Sequence, residues 1–237
     1  MDILYTVNCR LSPMMTGEEF HMIAWIKQHK YCYAVGYMVF YLAAFFLSER
    51  VLEPKYTISC ALDDRIPFNE FFVIPYCSWF LLLPASWLYT MVTSKKDFQD
   101  LCMIMFGGMT LSILLYWIFP NGLNLRPASI PDNFCGRLVH MLHEVDTPGN
   151  VCPSIHVSSS TAVMAVALRS GELRRKPVIR WGVCLLAAAI CVSTMFLKQH
   201  SAVDVVCGCL VTVVLTVFVY GTPWRTWMKG TWMDFFL

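Results

Sequence analysis

The sequence predicts an all-α integral membrane bundle of six transmembrane helices, and three observations support this fold class. Hydrophobic residues make up 57% of the 237 residues and charged residues only 14%, whereas an ordinary soluble domain has about 25% charged residues. Six apolar runs each come close to the roughly 20 residues that cross a bilayer core about 30 Å thick. The Lys and Arg residues fall mainly in alternate connecting segments. Lipid is therefore the expected solvent.

The predicted helices follow one another along the whole chain. We expect them at residues 31–47, 68–92, 98–119, 151–168, 181–197 and 201–220. Pro75 and Pro84 interrupt the second run, but neighbouring helices can satisfy a carbonyl that loses its partner, so a kink is expected there. The chain then divides into a cytoplasmic N-terminal segment (1–30), a membrane domain (31–221) and a short C-terminal tail (222–237).

The distribution of cationic residues predicts the orientation. With a cytoplasmic N-terminus, 12 of the 18 Lys and Arg residues lie in inner segments, as the positive-inside rule requires. The outer segments keep Arg50, Lys55, Arg65, Arg126, Arg137 and Lys198. The first 30 residues contain no long apolar run, so no cleavable secretion signal is expected. Both termini are thus predicted to be cytoplasmic.

Charge and cysteine content narrow the possible partners. A net charge of +2 is too small to favour nucleic acid binding, so the bilayer and a lipid are the expected partners. Most of the 11 cysteines lie in apolar runs without metal-ligand spacing, which is typical of small buried residues. Cys135 and Cys152 share one loop, and whether they pair is left open. The oligomeric state is not predicted.

His200 and Asp204 form the first group of residues that could do chemistry. Their spacing of four places both on one face of a helix start. Asp204 could then hold one imidazole nitrogen and leave the other free to attack an electrophile. The alternative is a hydrogen bond that only secures the end of the helix. Ionisable groups at membrane depth are costly, which favours a functional role.

The segment Pro153, Ser154, Ile155, His156 resembles a helix start, where free backbone N–H groups favour a phosphate anion. Ser154 could donate to a phosphoryl oxygen, and a protonated His156 could act as general acid. The alternative is a capping Ser followed by an interfacial His. Both interpretations are kept at this point.

Topology brings these groups to one side of the membrane. Arg126 lies in the loop that leads to His156, and its guanidinium could bind two phosphoryl oxygens, or contact lipid headgroups instead. From His156 the chain crosses the membrane twice and returns at Lys198 and His200. We therefore expect the two imidazoles to face one cavity, close enough to share a phosphoryl group.

Together these segments resemble the type 2 phosphatidic acid phosphatase superfamily, whose motifs read K-x6-R-P, P-S-G-H and S-R-x5-H-x3-D. Arg126 and Pro127 are similar to the end of the first motif, and residues 153–156 to the second, with Ile155 in place of glycine. Ser193, His200 and Asp204 match the third motif.

The resemblance implies roles for individual residues. His200 would attack phosphorus, Asp204 would orient His200, His156 would protonate the leaving group and Arg126 would bind phosphate. Phe119 and Thr194 stand where the motifs have Lys and Arg, so two expected cations are missing. Lys198 is the nearest candidate to replace them, unless it only reaches the lipid headgroups.

Three functions are consistent with these residues. The leading hypothesis is a metal-independent phosphatase of lipid phosphates or diphosphates that works through a phosphohistidine, without a cofactor, at the outer membrane face. A phosphotransferase resembling the inositol phosphorylceramide and sphingomyelin synthases is the enzyme alternative. The third hypothesis is an inactive relative that binds or transports lipid phosphates.

Overall fold

The structure is a computed structural model that describes residues 28–237, so nearly all of the predicted segment 1–30 lies outside the described residues. The helices of the described chain are α1 Tyr37–Val51, α2 Val73–Thr93, α3 Lys95–Ile118, α4 Phe134–Val145, α5 Ile155–Arg169, α6 Gly171–Arg174, α7 Pro177–Phe196, α8 Ala202–Gly221 and α9 Trp224–Met228. Four short 3-10 helices lie at Lys30–Gly36, Asp63–Arg65, Glu70–Phe72 and Asp234–Phe236.

Five helical segments of the described chain are long and apolar enough to cross a membrane. They are Lys30–Val51, Glu70–Thr93, Lys95–Ile118, Pro177–Phe196 and Ala202–Gly221. Each lies at one of the predicted apolar runs, and Pro84 sits inside a continuous α2. The predicted all-α membrane bundle is therefore confirmed.

The fourth predicted helix, α5, is not among these five segments, and it is the central helix of the bundle. It packs against α2, α3, α7 and α8, and most of its side chains are buried. Its 15 residues begin at Ile155 and not at 151 as expected, because Ser154 caps the helix and accepts a hydrogen bond from the N–H of Val157. Six crossings stay a prediction, since α5 is shorter than the other five.

Small and hydroxyl-bearing residues let α5 and α8 approach closely. Thr161 donates to the Thr212 hydroxyl at 2.8 Å, and Thr212 donates to the Ser158 carbonyl at 2.8 Å. A Cβ on Gly208 would lie 2.8 Å from the Ser154 carbonyl oxygen. Membrane helices often associate through small residues of this kind, and here they hold α5 and α8 together from their first turns to near their middles.

The connections at the site end of the bundle are fixed by backbone pairing and side-chain anchors. The strands β1 (Tyr56–Thr57) and β2 (Asn121–Gly122) form a parallel pair. Buried Asn121 accepts hydrogen bonds from the N–H groups of Val151 and Cys152 and donates to the Cys152 carbonyl. Cys152 and Cys135 are free thiols. This loop therefore enters α5 on a defined path.

The opposite end of the bundle is closed by the C-terminal tail. Trp224 and Phe236 belong to the main hydrophobic core together with Phe98 of α3. Gln99 donates to the Phe236 carbonyl at 2.6 Å. The tail thus packs onto the bundle at the start of α3, at the end opposite the residues described next.

Candidate active site

One cavity of about 170 Å³ holds both candidate histidines. It lies between α1, α2, α3, the end of α4 and the starts of α5 and α8. Its wall combines aromatic rings, short polar loop residues and a few ionisable groups. The ionisable or amide-bearing side chains on it are Glu49, Asp146, Asn150, His156, Gln199 and His200.

His200 lies on the turn between α7 and α8, and Asp204 lies behind it. The Nδ1 atom of His200 is 3.4 Å from Oδ2 of Asp204, longer than an ordinary hydrogen bond; catalytic contacts of this kind commonly shorten when substrate binds. Asp204 also accepts from the N–H of Ser201 at 2.8 Å, which completes a capping box at the start of α8. Asp204 is fully buried, and because Nδ1 of His200 faces it, Nε2 is the nitrogen left for the cavity.

A second carboxylate, Asp63, fixes the same turn from the loop between α1 and α2. Its two oxygens accept from the Ser201 hydroxyl at 2.6 Å and from the N–H of Ala202 at 2.8 Å. Burial alone would raise the pKa of Asp63, but these hydrogen bonds and one from Cys60 outweigh it and lower the pKa. Asp63 was not predicted from the sequence, because nothing in the apolar pattern shows that this loop reaches α8.

His156 lies in the first turn of α5, across the cavity from His200. The two imidazole centroids are 5.9 Å apart, and aromatic rings of α2 hold the His156 ring from the other side. Its centroid is 4.6 Å from that of Tyr76 and 4.5 Å from that of Trp79. The Trp79 indole N–H donates to the Ser159 hydroxyl at 2.8 Å, which ties the indole to α5.

Arg126 is near the site but does not line the cavity. Its guanidinium donates to the carbonyl oxygens of His143 and Asp146 and, at 3.3 Å, to Oε1 of Gln199. Burial lowers its pKa, opposed mainly by the negative charge of Asp146. The guanidinium thus clamps the loop after α4 and orients Gln199, and its predicted direct contact with phosphate stays a prediction.

Gln199 is another polar residue that was not predicted from the sequence as part of the site. It lines the cavity, is 5% exposed, and its Nε2 atom has no hydrogen-bond partner among the described residues. Because Arg126 occupies the amide oxygen, the amide nitrogen is the group left for a ligand. Its position next to His200 in the sequence was the one signal that could have indicated it.

Ser154 and Lys198, both predicted to bind phosphate, are used elsewhere in the described structure. Ser154 is fully buried as the cap of α5. The Lys198 ammonium donates to the Asp63 carbonyl at 2.5 Å, which fastens the loop carrying Asp63. Neither residue lines the cavity, so a phosphate contact by either would require a rearrangement.

The positions of the two missing cations are also away from the cavity wall. The Phe119 ring stacks on Tyr56, with centroids 4.0 Å apart. Thr194 is fully buried, and its hydroxyl donates to the Cys191 carbonyl. No Lys or Arg is therefore among the described residues that line the cavity.

Two carboxyl groups stand on the wall instead. Glu49 accepts from the Thr147 hydroxyl at 2.7 Å, and Asp146 accepts from the Tyr76 hydroxyl at 3.0 Å. Burial raises the pKa of Asp146, while His200, Tyr76 and Arg126 oppose that rise. Neither acid was predicted from the sequence, because the two come from segments far apart in the chain.

Comparison with known proteins gives one family match. The profile of the PAP2 superfamily matches residues 100–228, more than half of the chain, including both histidines and Asp204. No curated protein and no solved structure matches the chain, and nothing indicates a particular branch of the superfamily. The predicted resemblance is confirmed at the level of the superfamily: this chain is a multi-pass, all-α membrane protein that belongs to the PAP2 superfamily.

Proposed function

We propose that the protein is a membrane enzyme that transfers the phosphoryl group of a lipid phosphate ester, with His200 as nucleophile. One observation carries this proposal: two imidazoles 5.9 Å apart border one cavity, with Asp204 behind one of them. Membership of the PAP2 superfamily supports a phosphatase-type or related function on lipid phosphates. Hydrolysis is the leading reaction.

The proposed reaction has two steps. Nε2 of His200 attacks phosphorus while the bond to the lipid oxygen breaks, and protonated His156 gives its proton to that oxygen. Water then attacks the phosphohistidine, its proton goes to His156, and the N–P bond breaks. Asp204 stabilises the positive charge that forms on His200 and holds Nδ1 in place.

The transition state carries negative charge that needs stabilisation. The buried N–H groups of Gln199 supply donors on the cavity wall, and a donor that costs no reorganisation can contribute about 10²-fold in rate. Arg126 lies behind Gln199, outside the cavity wall, and orients its amide group by donating a hydrogen bond to the amide oxygen. In this proposal Arg126 is a positioning residue, and Gln199 makes the contact that the missing cations would otherwise make.

A lipid fits the cavity better than a soluble phosphate does. Leu42 and Phe46 of α1 and Phe80 of α2 line the cavity and are also exposed on the apolar surface of the bundle. The wall is therefore continuous with the surface that faces lipid tails. A headgroup could occupy the cavity while its chains remain in the bilayer.

Headgroup transfer is the second candidate, and the charge of the wall favours it. Carboxylates without Lys or Arg on the wall disfavour a dianionic phosphate monoester more than a monoanionic phosphodiester. A lipid hydroxyl would then replace water in the second step. Release of inorganic phosphate indicates hydrolysis, and a labelled headgroup on ceramide or diacylglycerol indicates transfer.

The direct test uses purified protein in detergent, a panel of lipid phosphates and diphosphates, and no added metal. Wild type should turn over at least one lipid, and His200→Ala should abolish turnover and the acid-labile phosphoprotein intermediate. His140→Ala is the matched control, because His140 is exposed on α4. Equal turnover in wild type and His200→Ala would remove His200 from the mechanism; lipid binding without turnover in wild type would indicate an inactive relative.

A further inference from the structure

The acidic residues of the cavity have no role in the proposed phosphoryl transfer. Glu49 and Asp146 line the same cavity as His156 and His200. A wall built only for a phosphoryl group would not carry two carboxyl groups, because like charges repel the ligand. Their presence calls for a positive charge on the ligand itself.

No cation of the described chain neutralises these two acids through an ion pair. Neither Glu49 nor Asp146 takes part in any of the salt bridges of the described residues. The Arg126 guanidinium donates to the Asp146 carbonyl and not to its carboxylate. The positive charge of Arg126 therefore acts on both carboxyl groups without an ion pair to either. Both remain available to a ligand.

Aromatic rings complete the environment of the acids. The rings that line the cavity are Phe45, Phe46, Tyr76, Trp79, Phe80 and Tyr116. The faces of such rings attract an ammonium group, by about 0.5 to 2 kcal/mol per contact. Carboxylates combined with several aromatic rings are typical of sites that bind alkylammonium groups.

The distance between the acidic and the imidazole parts of the cavity is short. Tyr76 joins them, because its hydroxyl donates to Asp146 at 3.0 Å while its ring centroid lies 4.6 Å from that of His156. A ligand that reaches both parts must carry its ammonium and phosphoryl groups only a few bonds apart. The unpartnered Nε2 of Gln199 indicates where a phosphoryl oxygen would bind.

We propose that the cavity binds a lipid phosphate ester that also carries an ammonium group, held by Glu49, Asp146 and the surrounding rings. The phosphoryl group lies between His156, His200 and Gln199. This inference rests on the proposed function and narrows its substrate class. Two sources share this chemistry: a phosphate monoester of an amino-alcohol lipid, and a zwitterionic phosphodiester headgroup.

Both sources give a balanced reaction at His200. With the monoester, the lipid oxygen leaves with the proton from His156, and water releases inorganic phosphate. With the diester, the diacylglycerol oxygen leaves in the same way, and the phosphorylated amino alcohol stays on His200. Water or a lipid hydroxyl then attacks phosphorus, gives its proton to His156 and breaks the N–P bond.

The test compares lipids that differ only in the ammonium charge. One pair is a sphingoid-base phosphate and its N-acetyl derivative, and the other is phosphatidylethanolamine and its N-acetyl derivative. Wild type should prefer the ammonium member of at least one pair by about tenfold or more in kcat/KM, and the pair that responds identifies the source. Equal kcat/KM within both pairs would overturn the proposal.

Two isosteric variants locate the preference. Glu49→Gln and Asp146→Asn should each reduce the ratio of kcat/KM between the ammonium lipid and its N-acetyl derivative several-fold. Glu144→Gln is the control, because Glu144 is exposed on α4 and does not line the cavity. An unchanged ratio in both cavity variants, with correctly folded protein by size-exclusion chromatography, would contradict the assigned site.

A binding measurement separates failure of this inference from failure of the proposed function. His200→Ala, purified in a maltoside detergent, is titrated with dodecylphosphocholine and with dodecyl phosphate. Tighter binding of dodecylphosphocholine, lost in the double variant with Glu49→Gln, supports the ammonium site even if no lipid is turned over. Turnover without discrimination between the two probes would leave phosphoryl transfer standing and remove the ammonium site.

Discussion

Gln199 and His143 both contact the Arg126 guanidinium, and each has a buried nitrogen without a hydrogen-bond partner among residues 28–237. Leaving a buried N–H unpaired costs about 1–3 kcal/mol. For Gln199 this cost is explained if a ligand accepts a hydrogen bond from the amide nitrogen. Arg126 donates to the amide oxygen, and Gln199 lines the cavity. For His143, burial lowers the pKa of the imidazole.

We predict that Gln199→Leu lowers kcat of the proposed phosphoryl transfer about 10²-fold, the usual effect of removing one donor that stabilises transition-state charge. The substitution keeps the volume of the side chain, so the melting temperature should change little. Steady-state kinetics on the best substrate and differential scanning fluorimetry are the measurements. Wild-type kcat in Gln199→Leu would exclude the amide from the phosphoryl site.

His143 predicts how stability depends on pH. Burial, with the positive charges of Arg126 and His140, lowers the pKa of His143 to about 4. The unfolded chain therefore takes up a proton at higher pH than the folded chain does. Stability is complete above about pH 6.5 and falls as the pH decreases toward 4.

The expected outcome is a melting temperature in detergent that declines between pH 7.5 and 5, with a smaller decline in His143→Gln. Met141→Leu, a change without a titratable group at an exposed position on the same helix, is the control. A decline of the same size in His143→Gln and in wild type would show that other groups set the acid sensitivity.

The turn between α7 and α8 shows how a helix start positions the proposed nucleophile. Ser201 and Ala202 are held by Asp63 from one side and by Asp204 from the other. We expect Asp63→Ala to lower stability by about 1–3 kcal/mol, because it leaves the buried Ser201 hydroxyl and the Ala202 N–H unpaired. Activity should fall together with the melting temperature.

Asp64→Ala provides the matched control for this prediction, since Asp64 is the exposed neighbour in the same 3-10 helix. It should melt and react as wild type does. If Asp63→Ala also melts at the wild-type temperature, Asp63 does not contribute with Asp204 to the stability of the turn.

The contact between α5 and α8 gives a second prediction about the arrangement of helices. Gly208→Ala puts a Cβ 2.8 Å from the Ser154 carbonyl oxygen, so α8 must move away from α5, at a cost of about 1–3 kcal/mol. Because the two helices carry Asp204 and His156, activity should fall more than stability does. Gly221→Ala in the same helix meets no neighbouring atom and should retain activity and stability; equal behaviour of both variants would contradict this packing.

The helices were largely predictable, because a helix that crosses the bilayer needs roughly 20 mostly apolar residues and the apolar runs of this sequence come close to that length. The start of α5 was placed four residues early, since apolarity alone does not distinguish Val151 from a true first turn. The capping by Ser154 depends on local backbone geometry. A capping Ser154 was one of the two interpretations of residues 153–156, and the structure contains this cap.

Over the whole molecule, the order of crossings brings residues far apart in the chain to one end of the bundle. Predicting that His156 and His200 face one cavity required only the parity of two crossings. Glu49, Asp63 and Asp146 could not be predicted in this way, because their approach depends on the paths of loops. Lys198 was expected at the phosphate, yet in the structure it donates to the Asp63 carbonyl.

The two ends of the bundle differ in charge, which predicts the orientation. The end opposite the cavity carries the described residues Lys30, Lys95, Lys96, Arg169, Arg174, Arg175, Lys176, Arg180, Arg225 and Lys229. Following the positive-inside rule, we propose that this end and both termini are cytoplasmic and that the cavity faces outward.

Protease sites inserted after Ser129 and after Arg175 in separate variants test this orientation in intact cells and in inverted vesicles. Both positions are exposed. External protease should cut the Ser129 variant in cells and the Arg175 variant in inverted vesicles. The reverse pattern would place the cavity on the cytoplasmic side.

The length of α5 has a consequence for which molecules can react. At 1.5 Å per residue, its 15 residues extend about 22 Å, less than the roughly 30 Å of a bilayer's hydrocarbon layer. Its last turn is level with the start of α3, where Ser170 donates to Asp97 at 2.6 Å. We infer that His156, at the other end of this short helix, lies below the level at which the longer helices leave the bilayer. If the protein acts on lipid phosphates as proposed, we expect this depth to disfavour freely dissolved phosphates, which must lose their hydration to reach His156, relative to an amphiphile that its tails anchor in the bilayer.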